Sequence, residues 1–203
     1  LPICDPRLDD GADPRTRGFE SHKLRSGLGL VPRRVAQGGD IWRRRLKGAE
    51  VDERIASVHR PYHAALGEAL AAAQLRFGVA VLLDIHSMPP LAQVEPVARL
   101  VFGDRFGRSA GSRFVARMEA VADAAGIAHA LNTPYSGGHI LDRHARPRAG
   151  IHAIQLEICR TLYLDSAFDA PGPGLAATSQ MLRRMIDALA DEILSGPVAV
   201  AAE

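Results

Sequence analysis

A chain of 203 residues, 47% hydrophobic and 24% charged, has enough apolar content for a sizeable core, which excludes a wholly disordered or fibrous polypeptide. Its 25 basic and 23 acidic side chains leave a net charge of +2, and the one basic cluster, Arg43-Arg44-Arg45 with Lys47, has only Trp42 beside it, so a solvated face fits better than a nucleic-acid surface. No apolar run approaches the roughly 18–20 residues of a membrane span, and Leu1-Pro2-Ile3-Cys4-Asp5 lacks a leader's basic and apolar pattern, so neither a membrane nor secretion is expected.

Residues 1–48 are rich in Gly, Pro, Asp and Arg and show little periodicity, reading as loops wrapped on a core or as the remnant of a larger region. From Val51 to about Phe77 the pattern turns helical: Ile55, His59, Tyr62, Leu66, Leu70 and Ala73 recur at three- and four-residue steps. Pro61 should kink or split that helix and Gly78 should close it. Val79–Ile85 is a continuous apolar run with one acid, Asp84, near its end, as in a buried parallel strand. Residues 97–102 form a second expected strand. Ser109 is expected to cap a helix from about Gly111 to Ala125, ended by Gly126. A short strand near Ala128–Leu131 and a clear one over Gly150–Ile158 follow, then an amphipathic helix over Leu175–Leu194 stopped by Gly196-Pro197. Strands alternating with helices predict an α/β layered fold with a largely parallel or mixed sheet, whose chemistry lies beyond the carboxyl ends of the strands.

Chemistry-bearing residues gather at those ends. In Asp84-Ile85-His86-Ser87, Asp84 and His86 share a face. A neutral His86 imidazole is a metal-ligand candidate whose other nitrogen a carboxylate can hold; a plain sheet-edge histidine is the alternative. In Gln155-Leu156-Glu157, Gln155 and Glu157 share one face while Ile154, Leu156 and Ile158 share the other. A carboxylate in a buried strand is costly unless it is paired or functional. Glu157 therefore reads as a general base beside activated water, or else as half of an ion pair with Arg160 or a residue of an edge strand. Asn132, Tyr135, Gly138 and His139, in a loop with Gly137-Gly138, are candidates to orient a small polar substrate, although the glycines also suit a plain turn. The loop Gly103-Asp104-Arg105-Phe106-Gly107-Arg108-Ser109 lacks phosphate-loop spacing. His59 and His63 stand four apart, but Pro61 between them is expected to disturb a shared metal site. Ser87 has no nucleophile elbow around it, which argues against serine hydrolysis. Cys4 and Cys159 make no disulfide framework, so a reducing, cytoplasmic setting is expected.

Taken in order, these segments resemble the N-formylglutamate amidohydrolase (formylglutamate deformylase) family. The matching stretches are Ser26–Arg33, Arg60-Pro61-Tyr62-His63, Asp84–Pro89, Gly103–Ser109, and Asn132 through Gly137-Gly138-His139-Ile140 to Gln155-Leu156-Glu157, closing with Leu162-Tyr163-Leu164-Asp165. The family is similar in fold to zinc carboxypeptidases and aspartoacylases. The resemblance therefore implies a three-layer α/β/α hydrolase of the zinc-peptidase kind, with a mixed, largely parallel sheet and one amidohydrolase domain over residues 1–203. It implies His86 as a ligand of zinc or another divalent transition metal, with Asp84 and Ser87 behind it, and Glu157 as the catalytic carboxylate. The implied reaction is hydrolysis of N-formyl-L-glutamate, or a related N-acyl amino acid, to formate and L-glutamate in histidine degradation. An acidic small molecule of this kind needs cationic partners; Arg33, Arg105, Arg143 and Arg160 are the candidates near matched motifs.

The family's other metal ligands come from an early strand and loop with a His-Ser-Gly type motif and an acid. Here the first histidine is His22, in Ser21-His22-Lys23. The expectation is accordingly a fragment or truncated product, or a degenerate metal site that binds an acidic small molecule without turnover. A carboxypeptidase-like hydrolase of another amide is the remaining rival. A sheet lacking that strand would expose a margin, which allows self-association into a homo-oligomer.

Overall fold

The computed structural model describes residues 41–44, 46–91 and 97–195. The expectations on Arg33, on the Ser26–Arg33 stretch, on the loops before residue 41 and on the Gly196-Pro197 stop lie outside these residues. The chain divides into two compact units, Leu1–Ala65 and Leu66–Glu203.

In the first unit, helix α1 (Gly48–Arg54) begins where Glu50 accepts a hydrogen bond from the Lys47 backbone N–H at 2.8 Å. The same carboxylate takes both terminal nitrogens of Arg44, and that bond chiefly holds it down to about 2. Leu46 and Val51 form a small core with Trp42 and Ile55. A π-helical turn, Ile55–His59, joins α1 to α2 (Arg60–Phe77). This is the form the split at Pro61 takes. Proline has no N–H to continue the ordinary ladder, and Arg60 N–H reaches back to the Ile55 carbonyl, widening the turn by one residue. Gly78 ends α2 in the left-handed region at φ 75°, as its position suggests.

The second unit is built on four strands among the described residues: β1 (Ala80–Met88), β2 (Leu100–Gly103), β3 (His129–Leu131) and β4 (Ile151–Cys159), in spatial order β1-β4-β2-β3. β1 pairs parallel with β4 and β2 parallel with β3, while β2 runs antiparallel to β4, so the sheet is mixed and mostly parallel. Helices α3 (Ser112–Ala124), α4 (His139–His144) and α5 (Leu175–Ser195) complete the α/β arrangement. β1 runs three residues beyond the apolar stretch, so His86 lies within the strand rather than at its mouth. β2 begins at Leu100, later than expected.

The period-two alternation separates two faces. Leu100, Phe102, Ile154, Leu156 and Ile158 face Phe114, Val115 and Met118 of α3 and Met181, Met185 and Leu189 of α5 in the main core. The opposite face carries Asp84, His86, Gln155 and Glu157, with Met88, Val101 and Cys159 packed beside them. The expected Ser109 cap is not formed. Gly111 occupies the N-cap of α3, and the Ser109 hydroxyl instead donates to the Ala153 carbonyl at 2.8 Å, stitching the loop to β4. Gly126, at φ 64°, ends this helix as expected.

Candidate active site

Register, rather than proximity in sequence, assembles the polar face. Parallel pairing of β1 with β4 sets Asp84 opposite Gln155 and His86 opposite Glu157. β4 is an interior strand, so Glu157 is buried among backbone ladders on both sides. Its Oε1 accepts a hydrogen bond from Gln155 Nε2 at 2.9 Å and lies 3.8 Å from His86 Nδ1. The other ring nitrogen, Nε2, stands 3.0 Å from Asp84 Oδ2. Burial pushes the Glu157 carboxyl above its ordinary range; His86 and the Gln155 hydrogen bond pull it back, and Asp84 adds to the rise.

The Glu157–Arg160 pair weighed from the sequence is not what forms: Arg160 Nε donates to Ser87 Oγ at 3.1 Å. Ser87, one residue beyond His86, points to the other face of the strand.

The loop bearing the substrate candidates is pinned above Gln155. A Cβ added at Gly138 would stand 3.8 Å from Gln155 Oε1, so the backbone passes close over the polar face. Gly137 has φ 101°, and a side chain there would collide with Leu141. Gly103 lies so close under Ser136 and Gly137 that an added Cβ would be 2.7 Å from the Gly137 nitrogen. Asn132 is buried and fully engaged. Its Oδ1 accepts from the Asp104 and Phe106 N–H groups at 3.0 and 3.3 Å, and its Nδ2 donates to Asp104 Oδ1 at 2.8 Å. These bonds hold a turn in which Arg105, Phe106 and Gly107 are left-handed in succession, at φ 58°, 57° and 77°. Two non-glycine residues in that region cost roughly 1–2 kcal/mol each. Arg105 Nη1 donates to the Gly137 carbonyl at 3.2 Å, and Nη2 pairs with Asp142 Oδ1 at 2.7 Å. Tyr135 packs, half-buried, against Met88, Val101 and Cys159. His139 is the exposed first residue of α4.

Among these, Gln155 and Asp142 carry more of the geometry than the sequence suggests. Gln155 had a legible signal, two residues before Glu157 on one strand; the pairing of Asp142 with Arg105 had none. In the first unit, His59 and His63 meet despite Pro61. Their ring centroids are 4.3 Å apart and their ligand nitrogens lie within 4.8 Å, an arrangement able to give two donors to a metal.

His86 has the chemistry of one ligand of a borderline metal such as zinc: an imidazole with a carboxylate at one nitrogen and the other nitrogen beyond hydrogen-bond reach of Glu157. Asp84 at Nε2 favours the tautomer with its proton there, which leaves the Nδ1 lone pair for a cation. A cavity of about 460 Å³ in the second unit lies elsewhere, between α3, α5 and the turn after β4, with Arg99, Thr161, Met181 and Arg184 in its wall.

A family model described as N-formylglutamate amidohydrolase matches residues 6–164. The N-formylglutamate deformylase of Pseudomonas aeruginosa is 33% identical over 174 residues, covering 82% of this chain and 64% of that protein. The Pseudomonas putida protein of the same name is 31% identical over 144 residues, covering 68% and 54%. The chain thus spans less than two thirds of the length of both curated relatives. The crystal structure of N-formylglutamate amidohydrolase from Ralstonia eutropha superposes with a TM-score of 0.79 at 32% identity, covering 93% of this chain and 69% of that one. With the family model matching most of the chain and a relative 33% identical over 82% of it, this chain belongs to the N-formylglutamate amidohydrolase family.

Proposed function

We propose that this chain carries the hydrolysis its relatives are named for: cleavage of the formyl amide of N-formyl-L-glutamate, or a related N-acyl amino acid, to formate and L-glutamate. The observation that carries the reading is the register pairing of His86 with Glu157, 3.8 Å apart on the polar face, with Gln155 fixing one carboxylate oxygen. In this reading Glu157 takes a proton from the attacking water through Oε2, since Gln155 holds Oε1, and returns it to the departing amine. Asp84 keeps the His86 ring oriented. The Gly137-Gly138 backbone borders the space over Gln155, Tyr135 packs beside Val101 and Cys159, and the Arg105 guanidinium donates to the Gly137 carbonyl of that loop. His86 would hold zinc or another divalent transition metal through Nδ1. When bound, such a metal supplies acidified water and a polarised formyl oxygen. The same reading assigns the reaction to histidine degradation in the cytoplasm.

A second reading has its own observation. Among the described residues of this face, His86 Nδ1 and one neighbouring carboxylate supply two donors, whereas a catalytic zinc takes three protein ligands. A family member that binds an acidic small molecule without turnover is the rival.

Elemental analysis and formate release from N-formyl-L-glutamate, measured on one purified sample, separate the two. Hydrolysis predicts about one metal per chain with formate release, and Glu157→Gln retains the metal while losing about 10²–10⁴ in turnover. Formate release without metal, or unchanged turnover in Glu157→Gln, would sink the assigned roles. Absence of both metal and formate, with zinc supplied, selects the rival.

A further inference from the structure

Arg105 is held at unusual expense for a loop residue. It sits in the left-handed region next to a second left-handed non-glycine residue, in a turn clamped by Asn132 and by its own N–H, which donates to the Ser136 carbonyl at 2.8 Å. The guanidinium it delivers is only partly used. Nη1 is taken by the Gly137 carbonyl and Nη2 by a single oxygen of Asp142, while Nε is buried without a hydrogen-bond partner. Nε and Nη2 form one edge of the guanidinium, the edge that grips a carboxylate with two parallel bonds. Asp142 reaches that edge with one bond where a well-seated carboxylate makes two. Asp142 is half-exposed on α4, whereas the Arg105 side chain is largely covered, so the acid is the partner with solvent to move into. The backbone that Arg105 braces, Gly137-Gly138, is the one that lies over Gln155 and so beside Glu157.

We propose that Asp142 is a stand-in for a carboxylate of the substrate: it occupies the side-on edge of Arg105 in the free protein, and an acidic ligand displaces it to bind Nε and Nη2 together. The inference rests on the reading above and names the group that makes the site select acidic substrates. Its sharp consequence is that the two members of one ion pair have opposite effects. Removing Arg105 weakens binding; removing Asp142, its competitor, strengthens it. A pair whose only role is to hold the loop would give weakening from both.

The test is calorimetric titration of N-formyl-L-glutamate into the purified chain and into Arg105→Lys, Arg105→Ala and Asp142→Ala, each also prepared with Glu157→Gln so that the ligand is not consumed, with thermal melts of each. The expected results are an increase in Kd of about tenfold or more in Arg105→Ala, little recovery in Arg105→Lys because an ammonium cannot make the two-bond grip, and a decrease of about threefold or more in Asp142→Ala. Weaker or unchanged binding in Asp142→Ala overturns the stand-in role even if Arg105→Ala does not fold, because that variant leaves the arginine in place. Wild-type protein that neither binds nor hydrolyses N-formyl-L-glutamate removes the functional reading itself. Wild-type binding with the wrong sign in Asp142→Ala removes only this inference.

Discussion

His152 shows what burial does to a single side chain outside the candidate site. It is buried at the start of β4, where its Nδ1 accepts the Gly111 N–H at 3.3 Å and its ring lies 4.7 Å from that of Phe114. Burial, then the neighbouring Arg113, hold its pKa below the ordinary histidine value of 6.5. The unfolded chain therefore binds this proton more readily than the folded one. The resulting stability is fully present above about pH 6.5 and is lost as pH falls toward the lowered folded value. His144, also lowered chiefly by burial, adds in the same direction. The unfolding temperature should fall between pH 7.5 and pH 5.5, and His152→Gln should shrink that fall, since a neutral amide oxygen still accepts the Gly111 N–H. Melting curves at stepped pH check this; identical slopes for the two proteins would place the titration elsewhere.

At the scale of elements, the site depends on two loops packed backbone to backbone. Gly103 ends β2 directly beneath Ser136 and Gly137, with no room for a methyl group. Gly103→Ala must displace the loop that lies over Gln155, so it should cost about 1–3 kcal/mol and lower turnover as well as stability. Gly48, the first residue of α1, has nothing within 4 Å of an added Cβ, so Gly48→Ala should be harmless. Denaturant titrations of the pair, with formate release alongside, measure the contrast. Equal stability of the two variants would mean that the 136–137 backbone yields freely. Much of this level was legible. The apolar run of β1, the alternation in β4 and the glycines closing α2 and α3 marked those elements within a few residues. The Ser109 cap was not, because a hydroxyl near a helix start serves whichever carbonyl or N–H the fold brings to it, here Ala153 on a distant strand.

For the molecule as a whole, the second unit is held by apolar packing more than by its surface charges. Phe114 and Met118 of α3 and Met185 of α5 are fully buried against Leu100, Phe102, Ile154 and Leu156. Phe114→Ala should cost about 3–5 kcal/mol. Glu192 of α5 bridges to Arg117 at 2.7 Å and Arg113 at 3.7 Å, but both arginines are about half exposed. Glu192→Gln should therefore cost less than about 1 kcal/mol, and less still in high salt. Urea unfolding of both variants tests the ranking; a Glu192 effect as large as that of Phe114 would reverse it.

The sequence by itself determined which residues could do chemistry and which strands carry them. Period-two alternation separates Gln155 and Glu157 from Ile154, Leu156 and Ile158 without any knowledge of the fold, and ordered motifs identify the family. Tertiary structure decided the rest. Only strand register sets His86 against Glu157, since pairing partners lie far apart in the chain and nothing local specifies them. Only loop packing directs Arg160 to Ser87 and Arg105 to Asp142. An arginine's partner is whichever acceptor the folded backbone brings within reach, and composition and spacing do not contain that distance.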